Sequence, residues 1–350
     1  MIVSSGFAAT DASRPLEPWS FNRRDVGPSD VLIDIAYCGV CHTDLHLARN
    51  EWGVSQYPLV PGHEIIGHVR EVGAEVTKFK PGDTVGVGVM VGSCRRCRYC
   101  ARGDEQYCAE GLVLTYNGEE KYIGGVTYGG YSDTIVVDDH FVVAIPDGID
   151  LAAAAPLLCA GVTTWSPLVH WKAGPGVKVG VVGLGGLGHM AVKLAAALGA
   201  EVTLFTRSPD KAADAKRLGA HRVVVSTDEA EMAEVACGLD LIVDCVAVPH
   251  DLDPYLATLS VDGSLVLAGI PEAPHDAPAV TPMVLRRLSV AGTSIGSMKE
   301  MEDMLAFCAR HAIGADIELI DPTEIETVFE RMAQGDVKYR FVIDMGKLTA

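Results

Sequence analysis

Positive charge is scarce in this chain. Its 350 residues carry 28 Lys and Arg against 46 Asp and Glu, a formal net charge of −18. Nucleic-acid binding as a main task needs a cationic face for phosphates, and this balance argues against it. The same balance disfavours anionic membrane surfaces. No uninterrupted apolar run is long enough to span a bilayer. The start, Met1-Ile2-Val3-Ser4-Ser5-Gly6-Phe7, lacks a basic segment followed by a long apolar stretch, so no secretory leader is expected. In a leaderless chain, ten cysteines point to metal ligands and free thiols, not to disulfides. Together these absences predict a cytoplasmic protein with neither nucleic acid nor membrane as partner.

What remains is ordinary globular composition, 49% hydrophobic and 21% charged. The length suggests two domains, and chains of this size bury large cores without disulfide staples.

The densest chemistry lies in Cys41-His42-Thr43-Asp44-Leu45-His46. A buried strand would carry Val, Ile and Leu there, and a solvated face Lys and Glu. Cys41 is a candidate zinc ligand, since a catalytic zinc takes three protein ligands and keeps one position open. By itself the stretch fits a polar loop with an incidental Cys equally well. The segment Val31-Leu32-Ile33-Asp34-Ile35-Ala36-Tyr37 reads as a strand. It leads to Cys38-Gly39-Val40, with a tight turn expected at Gly39 and Cys38 expected as a small buried residue. A short helix is expected over 44–48.

His63, in Pro61-Gly62-His63-Glu64-Ile65-Ile66-Gly67, stands at the start of a buried strand. It reads as a second zinc ligand or as a hydrogen-bonded core histidine. Glu64 favours the first reading, because a buried carboxylate needs a partner and a metal or its His ligand provides one. Cys159 lies in the apolar run Pro156-Leu157-Leu158-Cys159-Ala160. Alone it is a small core residue; beside Cys41 and His63 it would complete a Cys2His shell.

Cys94, Cys97, Cys100 and Cys108 form the strongest local motif. Two C-x-x-C steps and a fourth Cys make a closed tetrahedral shell, a structural zinc site. Arg95, Arg96, Arg98 and Arg102 are read as solvated cations that partly offset the thiolates. A zinc-ribbon binding module is the alternative of another class. Further β structure is expected over 124–132, 134–137 and 141–146, so the first 150 residues read as a Gly-rich antiparallel β domain.

A helix, a break and a second helix are expected over 152–164. Then Val177-Lys178-Val179-Gly180-Val181-Val182 reads as a buried strand, and Gly183-Leu184-Gly185-Gly186-Leu187-Gly188 fits G-x-G-x-x-G. An Ala- and Leu-rich helix (191–198) and a second strand (201–205) follow. Between a strand and a helix, such glycines let the backbone approach a pyrophosphate at the helix N-terminus. An NAD site has an acid at the end of the second strand. Here Thr206-Arg207-Ser208-Pro209-Asp210-Lys211 places none there, and its cations and hydroxyls suit a 2′-phosphate. NADP(H) is therefore the expected cofactor.

Strands over 221–225, 239–243, 264–269 and 288–291, with helices over 229–236 and 251–259, complete a doubly wound parallel sheet. Its strand ends at Cys245, Gly269 and Thr293-Ser294-Ile295 should face the cofactor. Helices over 301–311 and 324–332 and a last strand over 339–344 should rejoin the first domain.

These motifs resemble the zinc-dependent medium-chain dehydrogenase/reductase family and, within it, the cinnamyl alcohol dehydrogenase branch with its bacterial aldehyde reductases. The resemblance spans the chain and is most specific at 38–46, 61–67, 94–108, 155–167, 181–189 and 335–344. It implies an α/β fold: a Gly-rich, GroES-like catalytic domain over 1–159 and 298–350, and a Rossmann domain over 160–297. It also implies two zinc ions per chain, NADP(H), and a homodimer formed through an edge strand of the nucleotide domain.

For single residues it implies that Cys41, His63 and Cys159 hold the catalytic zinc, with Glu64 as exchangeable fourth ligand. Cys94, Cys97, Cys100 and Cys108 hold the structural zinc. Thr43 and His46 form the proton relay, and Asp44 supports His63. His42 approaches the pyrophosphate and Thr163 the nicotinamide. Thr206, Arg207 and Lys211 stand where the branch reads the 2′-phosphate, more often with serines at the first two. Plant members carry a pocket Trp after the fourth structural Cys, whereas Ala109-Glu110-Gly111-Leu112-Val113 has no aromatic. Tight fit to lignin precursors is not expected, and Trp52 is a candidate replacement. The implied reaction is hydride transfer between NADP(H) and aldehydes or primary alcohols. An NAD-linked polyol or secondary alcohol dehydrogenase on the same scaffold is the alternative.

Overall fold

The eleven-residue strand Asp30–Val40 is the spine of one half of the structure, a computed structural model that describes residues 1–271 and 273–348. The last two residues of the expected 298–350 segment lie outside that range. By its contacts the chain divides into two units, Met1–Cys159 with Gly296–Ala350, and Ala160–Ile295.

In the first unit a seven-stranded sheet runs in the order Ile317–Ile320, Arg340–Asp344, Asp30–Val40, Ile65–Val72, Thr84–Val87, Val143–Ala144, with Thr134–Asp138 also paired to Asp30–Val40. All pairings are antiparallel except the first. Strand Arg340–Asp344 thus returns the chain's end beside Cys38 and Gly39, with Val342 opposite Gly39. Val31, Ile33, Val85, Phe341 and Val342 are wholly buried, and each such side chain contributes about 1.5–3 kcal/mol.

Two expectations fail here. No turn occurs at Gly39, which lies within the strand. A Cβ at Gly39 would come 2.0 Å from Glu64 Oε2, so the glycine serves close approach and not chain reversal. Residues 124–132 form turns with single bridges at Glu119–Val126 and Gly6–Ser132. Gly124 and Gly125 both have positive φ, 78° and 87°, which an extended strand cannot accommodate.

The second unit is a six-stranded, all-parallel sheet. Its order is Arg222–Val225, Glu201–Thr206, Lys178–Val182, Leu239–Asp244, Leu259–Leu267, Ser289–Gly292. The order reverses beside Lys178–Val182, the place where doubly wound sheets bind nucleotides. Near-continuous apolar runs such as Val179, Val181, Val182 and Leu241, Ile242, Val243 are buried, as expected of strands covered on both faces. Phe205, Ile242, Leu256 and Leu265 anchor the core. The helix Val280–Arg286 had no sequence counterpart. It buries none of its residues, so it lacks the apolar periodicity by which helices are read.

Among the described residues no single helix is long and apolar enough to cross a membrane.

Candidate metal centres and cofactor pocket

The first centre is built by local turns. After the strand ends at Val40, Cys41 caps the helix His42–Ala48. Its backbone N–H donates to Asp44 Oδ2 at 2.8 Å, the return half of a capping box. Asp44 is fully buried. It also accepts from Gly62 N–H at 3.0 Å and from the Tyr131 hydroxyl at 3.2 Å, and its Oδ1 lies 3.6 Å from His63 Nδ1. One carboxylate therefore ties the helix start to the loop that carries His63. That leaves His63 Nε2 buried without a hydrogen-bond partner. Cys159 follows the 3-10 turn Ala155–Leu158.

Cys41, His63, Glu64 and Cys159 each offer a ligand atom, and these atoms lie within 4.8 Å of one another. The orphaned imidazole nitrogen and two sulfurs fit a zinc ion. The electrostatics agree. The Cys159 thiol beside it holds the Cys41 thiol far below its ordinary value, against burial. Cys159 is pushed correspondingly up by the same contact and by burial. Burial opposes charge on His63, but Asp44 and Cys41 outweigh it and raise the imidazole to about 9. These shifts describe a pocket crowded with negative charge, which a divalent cation would relieve.

Glu64 is wholly buried, and burial raises its carboxyl to about 7. Oε1 pairs with the Arg340 guanidinium, while Oε2 has no partner. Arg340 is 6% exposed. Its role was missed from the sequence, where the only signal is a cation heading the apolar strand Phe341-Val342-Ile343.

Thr43 Oγ1 lies 3.6 Å from Cys41 Sγ. His46 Nδ1 contacts Glu51, which reaches solvent and was also missed. The Trp52 ring lies against His46, tilted by 31° with centroids 4.9 Å apart, and Trp52 packs on Leu47, Leu59 and Tyr116. Tyr116 lies parallel to His63, centroids 5.7 Å apart and 12° inclined. Aromatics beside this centre thus come from Trp52 and Tyr116. His42 is exposed. Cys38 is buried outside the cluster.

The second centre joins Cys94, Cys97, Cys100 and Cys108, again with ligand atoms within 4.8 Å. Sulfurs of Cys97 and Cys100 are 3.5 Å apart, those of Cys94 and Cys100 3.9 Å. A tetrahedron with metal–sulfur bonds of about 2.3 Å has edges of about 3.8 Å, so the spacing fits zinc. Backbone N–H groups of Cys97, Cys94 and Ala109 donate to Cys94, Cys108 and Cys97 Sγ at 3.2, 3.3 and 3.4 Å. N–H groups led by that of Cys100 bring the Cys97 thiol down to about 6. The lobe's arginines are exposed, as expected of solvated cations, and each also has a surface partner. Arg95 grips Asp138, Arg96 grips Glu110, Arg102 pairs with Asp104, and Arg98 covers the Tyr99 ring. A phosphate-reading ribbon would leave such cations uncommitted.

The candidate cofactor pocket belongs to the second unit. Gly183 takes φ 85°; nothing lies within 4 Å of a Cβ at Gly185; a Cβ at Gly188 would sit 1.9 Å from Gly183 O. Turn, open approach and tight helix packing are the three tasks of the G-x-G-x-x-G glycines. Gly188 opens the helix Gly188–Ala197, while Gly186 and Leu187 complete the turn. A cavity of about 220 Å³ lies alongside, lined in part by Gly183, Leu184, Thr206, Arg207, Ser208 and Lys211. Thr206 Oγ1 accepts from Ser208 N–H at 3.0 Å, and Lys211 Nζ donates to Leu184 O at 3.2 Å. No carboxylate ends the strand Glu201–Thr206, and two cations and two hydroxyls stand in its place, a set that fits a 2′-phosphate.

Thr163, Cys245, Gly269, Thr293, Ser294 and Ile295 lie outside the lining of this cavity. Thr163 is buried in the helix Ala160–His170. Cys245 N–H bonds to Val182 O and Thr293 N–H to Leu267 O. A Cβ at Gly269 would lie 2.6 Å from Val246 O, so these strand ends are neighbours.

Residues 27–147 match the model of the alcohol dehydrogenase GroES-like domain, and 186–310 that of the zinc-binding dehydrogenase. An NADP-dependent alcohol dehydrogenase C of Mycolicibacterium smegmatis is 51% identical over 349 residues, covering 99% of each chain. An aldehyde reductase of Escherichia coli K12 is 52% identical over 342 residues, 97% of this chain and 98% of that one. Among solved structures, a cinnamyl alcohol dehydrogenase of Sorghum bicolor superimposes with a TM-score of 0.96 at 47% identity, covering 99% of both chains.

Proposed function

The chain belongs to the zinc-dependent medium-chain dehydrogenase/reductase family, in its cinnamyl alcohol dehydrogenase branch, and from that premise we propose that it reduces aldehydes with NADPH and runs the reverse reaction on primary alcohols. Aromatic, cinnamyl-type and medium-chain aldehydes form the substrate class. The observation that carries this reading is the cluster of Cys41, His63, Glu64 and Cys159 about one point in the same unit as a four-cysteine lobe.

When bound, zinc acts as a Lewis acid toward the carbonyl oxygen and the reduced nicotinamide is the hydride source. An aldehyde, NADPH and a proton give a primary alcohol and NADP+. Cys41, His63 and Cys159 hold the metal. Asp44 fixes the His63 tautomer, so that Nε2 carries the free lone pair. Arg340 holds Glu64 at one oxygen, and the other would be free to ligate the metal. Thr43 gives the proton to the product oxygen, and His46, resting on Glu51, refills it from solvent. Thr206, Arg207, Ser208 and Lys211 select the 2′-phosphate. Cys94, Cys97, Cys100 and Cys108 hold the structural zinc.

Two finer readings accompany this one. The enzyme works as a homodimer, supported by an open edge strand, Ser289–Gly292, beside exposed Val280, Val284 and Leu285. It resides in the cytoplasm, supported by ten cysteines with no disulfide among them.

The test is cofactor consumption across aliphatic, benzylic and cinnamyl aldehydes, with NADPH and NADH compared and polyols assayed in reverse. NADPH-linked aldehyde reduction is expected. Turnover confined to NAD and polyols would overturn the proposal.

A further inference from the structure

One pair of residues in the cofactor pocket has no role so far. Asp244 ends the strand Leu239–Asp244. Its side chain is fully buried, and Oδ1 accepts from Val246 N–H at 3.0 Å. Oδ2 lies 2.9 Å from His250 Nε2. The other ring nitrogen, Nδ1, stands 2.9 Å from the Val248 carbonyl oxygen. Both nitrogens thus stand close to oxygens that can only accept, although only the Nδ1 contact is aligned as a hydrogen bond and the Nε2–Oδ2 contact is an ion pair. A neutral imidazole has a single N–H and would aim a lone pair at one of them. The doubly protonated ring is the form that suits this setting, and Asp244 raises the His250 pKa accordingly.

His250 lines the same cavity as Thr206, Arg207, Ser208 and Lys211. The charged and titratable groups around it are few. Asp244 comes from the strand below and Tyr255 from the helix Asp253–Thr258, its ring 5.8 Å away. His275 sits 4.9 Å away ring to ring, its Nδ1 accepting from His250 N–H. Arg207 interacts with His250 through space, and Asp251 acts on Tyr255. Protonated His250 cancels the charge of Asp244, the nearest acid, and so leaves the pull of Arg207 and Lys211 on an anion in the cavity unopposed.

We infer that His250, paired with Asp244, is a specificity residue: protonated, it neutralises the Asp244 carboxylate beside the 2′-phosphate pocket and makes the preference for NADP(H) over NAD(H) depend on pH. With Nδ1 held by Val248 O and Nε2 beside Asp244, it acts by charge and not by a hydrogen bond to the phosphate. Deprotonation would leave the buried Asp244 carboxylate uncompensated and turn the wall against a phosphate. The inference rests on the NADP(H) reading above.

The experiment measures equilibrium binding of 2′,5′-ADP and 5′-AMP to the full-length zinc-loaded protein by calorimetry, with no turnover involved. Wild type should bind 2′,5′-ADP more tightly, by a margin that shrinks as pH rises above the ordinary imidazole range, because the Asp244 contact raises the His250 pKa. The phosphate is already a dianion there, its second pKa being about 6. His250→Gln should weaken 2′,5′-ADP about tenfold, the loss of one partly screened charge, leave 5′-AMP within about twofold, and flatten the pH profile. Asp244→Asn keeps a ring in place and separates charge from shape. With no carboxylate left to uncover, its 2′,5′-ADP binding should not weaken as His250 loses its proton. Equal weakening of both ligands in His250→Gln, or an unchanged pH profile, would overturn the role of His250 while leaving the NADP(H) reading intact. No preference for 2′,5′-ADP in wild type would instead overturn the NADP(H) reading, and the inference with it.

Discussion

Replacing Arg340 with Met keeps the aliphatic stem and removes the charge. The guanidinium is 6% exposed and pairs with Glu64, which is not exposed at all. Breaking one side of such a pair strands the other charge, at a cost of about 3–5 kcal/mol. An unfolding entropy of about 2.1 cal/mol/K per residue gives about 0.7 kcal/mol/K for this chain. The melting temperature should therefore fall by about 4–7 °C in Arg340→Met. Removing both charges should recover most of that loss, because no buried ion then remains. Scanning calorimetry of wild type, Arg340→Met, Glu64→Gln and the double variant at equal zinc content closes the cycle. A single variant that melts with wild type, or a double variant whose losses simply add, would refute the reasoning. It would mean that Glu64 takes its compensation elsewhere.

Arg207→Asp should weaken NADPH about 10- to 150-fold, since a charge-assisted hydrogen bond of about 1.5–3 kcal/mol is lost; NADH should change by less than about threefold, both read as dissociation constants from cofactor fluorescence. Gly39→Ala sets a methyl against the pinned Glu64 carboxylate, with 2.0 Å available. It should cost about 1–3 kcal/mol and reduce zinc at the Cys41 centre, as metal analysis and denaturant titration would show; a normal zinc content would mean that Glu64 moves freely. Val284→Glu with Leu285→Glu should shift the protein toward monomer in light-scattering chromatography while melting changes little, because both side chains are more than 70% exposed; an unaltered dimer would place the interface elsewhere.

What could be read ahead of the structure was what is local. The four-cysteine lobe and the glycine fingerprint each fit within a few turns of chain, and spacing alone conveys their chemistry. Cys41, His63 and Cys159 are scattered over the first unit; ligand chemistry offered them as a Cys2His shell, with a core reading left open for His63 and Cys159, and the resemblance joined them. Gly39 misled for a related reason. Its neighbour is Glu64 on the adjacent strand, and a glycine kept for a contact across a sheet looks the same as one kept for a turn. Arg340 and the Asp244–His250 pair went unseen because each gains its meaning from a partner that tertiary packing brings in. At 124–132 the glycines and Tyr suggested strand, but consecutive positive φ values send the chain through turns instead.

The count of zinc ions per chain in wild type and Cys159→Ser, by elemental analysis after dialysis, probes the shared ion itself. Two in wild type and one in the variant, with aldehyde reduction lost, is the expected result. A variant that keeps two ions and full turnover would show that Cys159 does not grip the metal, and that the cluster with Cys41 and His63 is not the reactive centre.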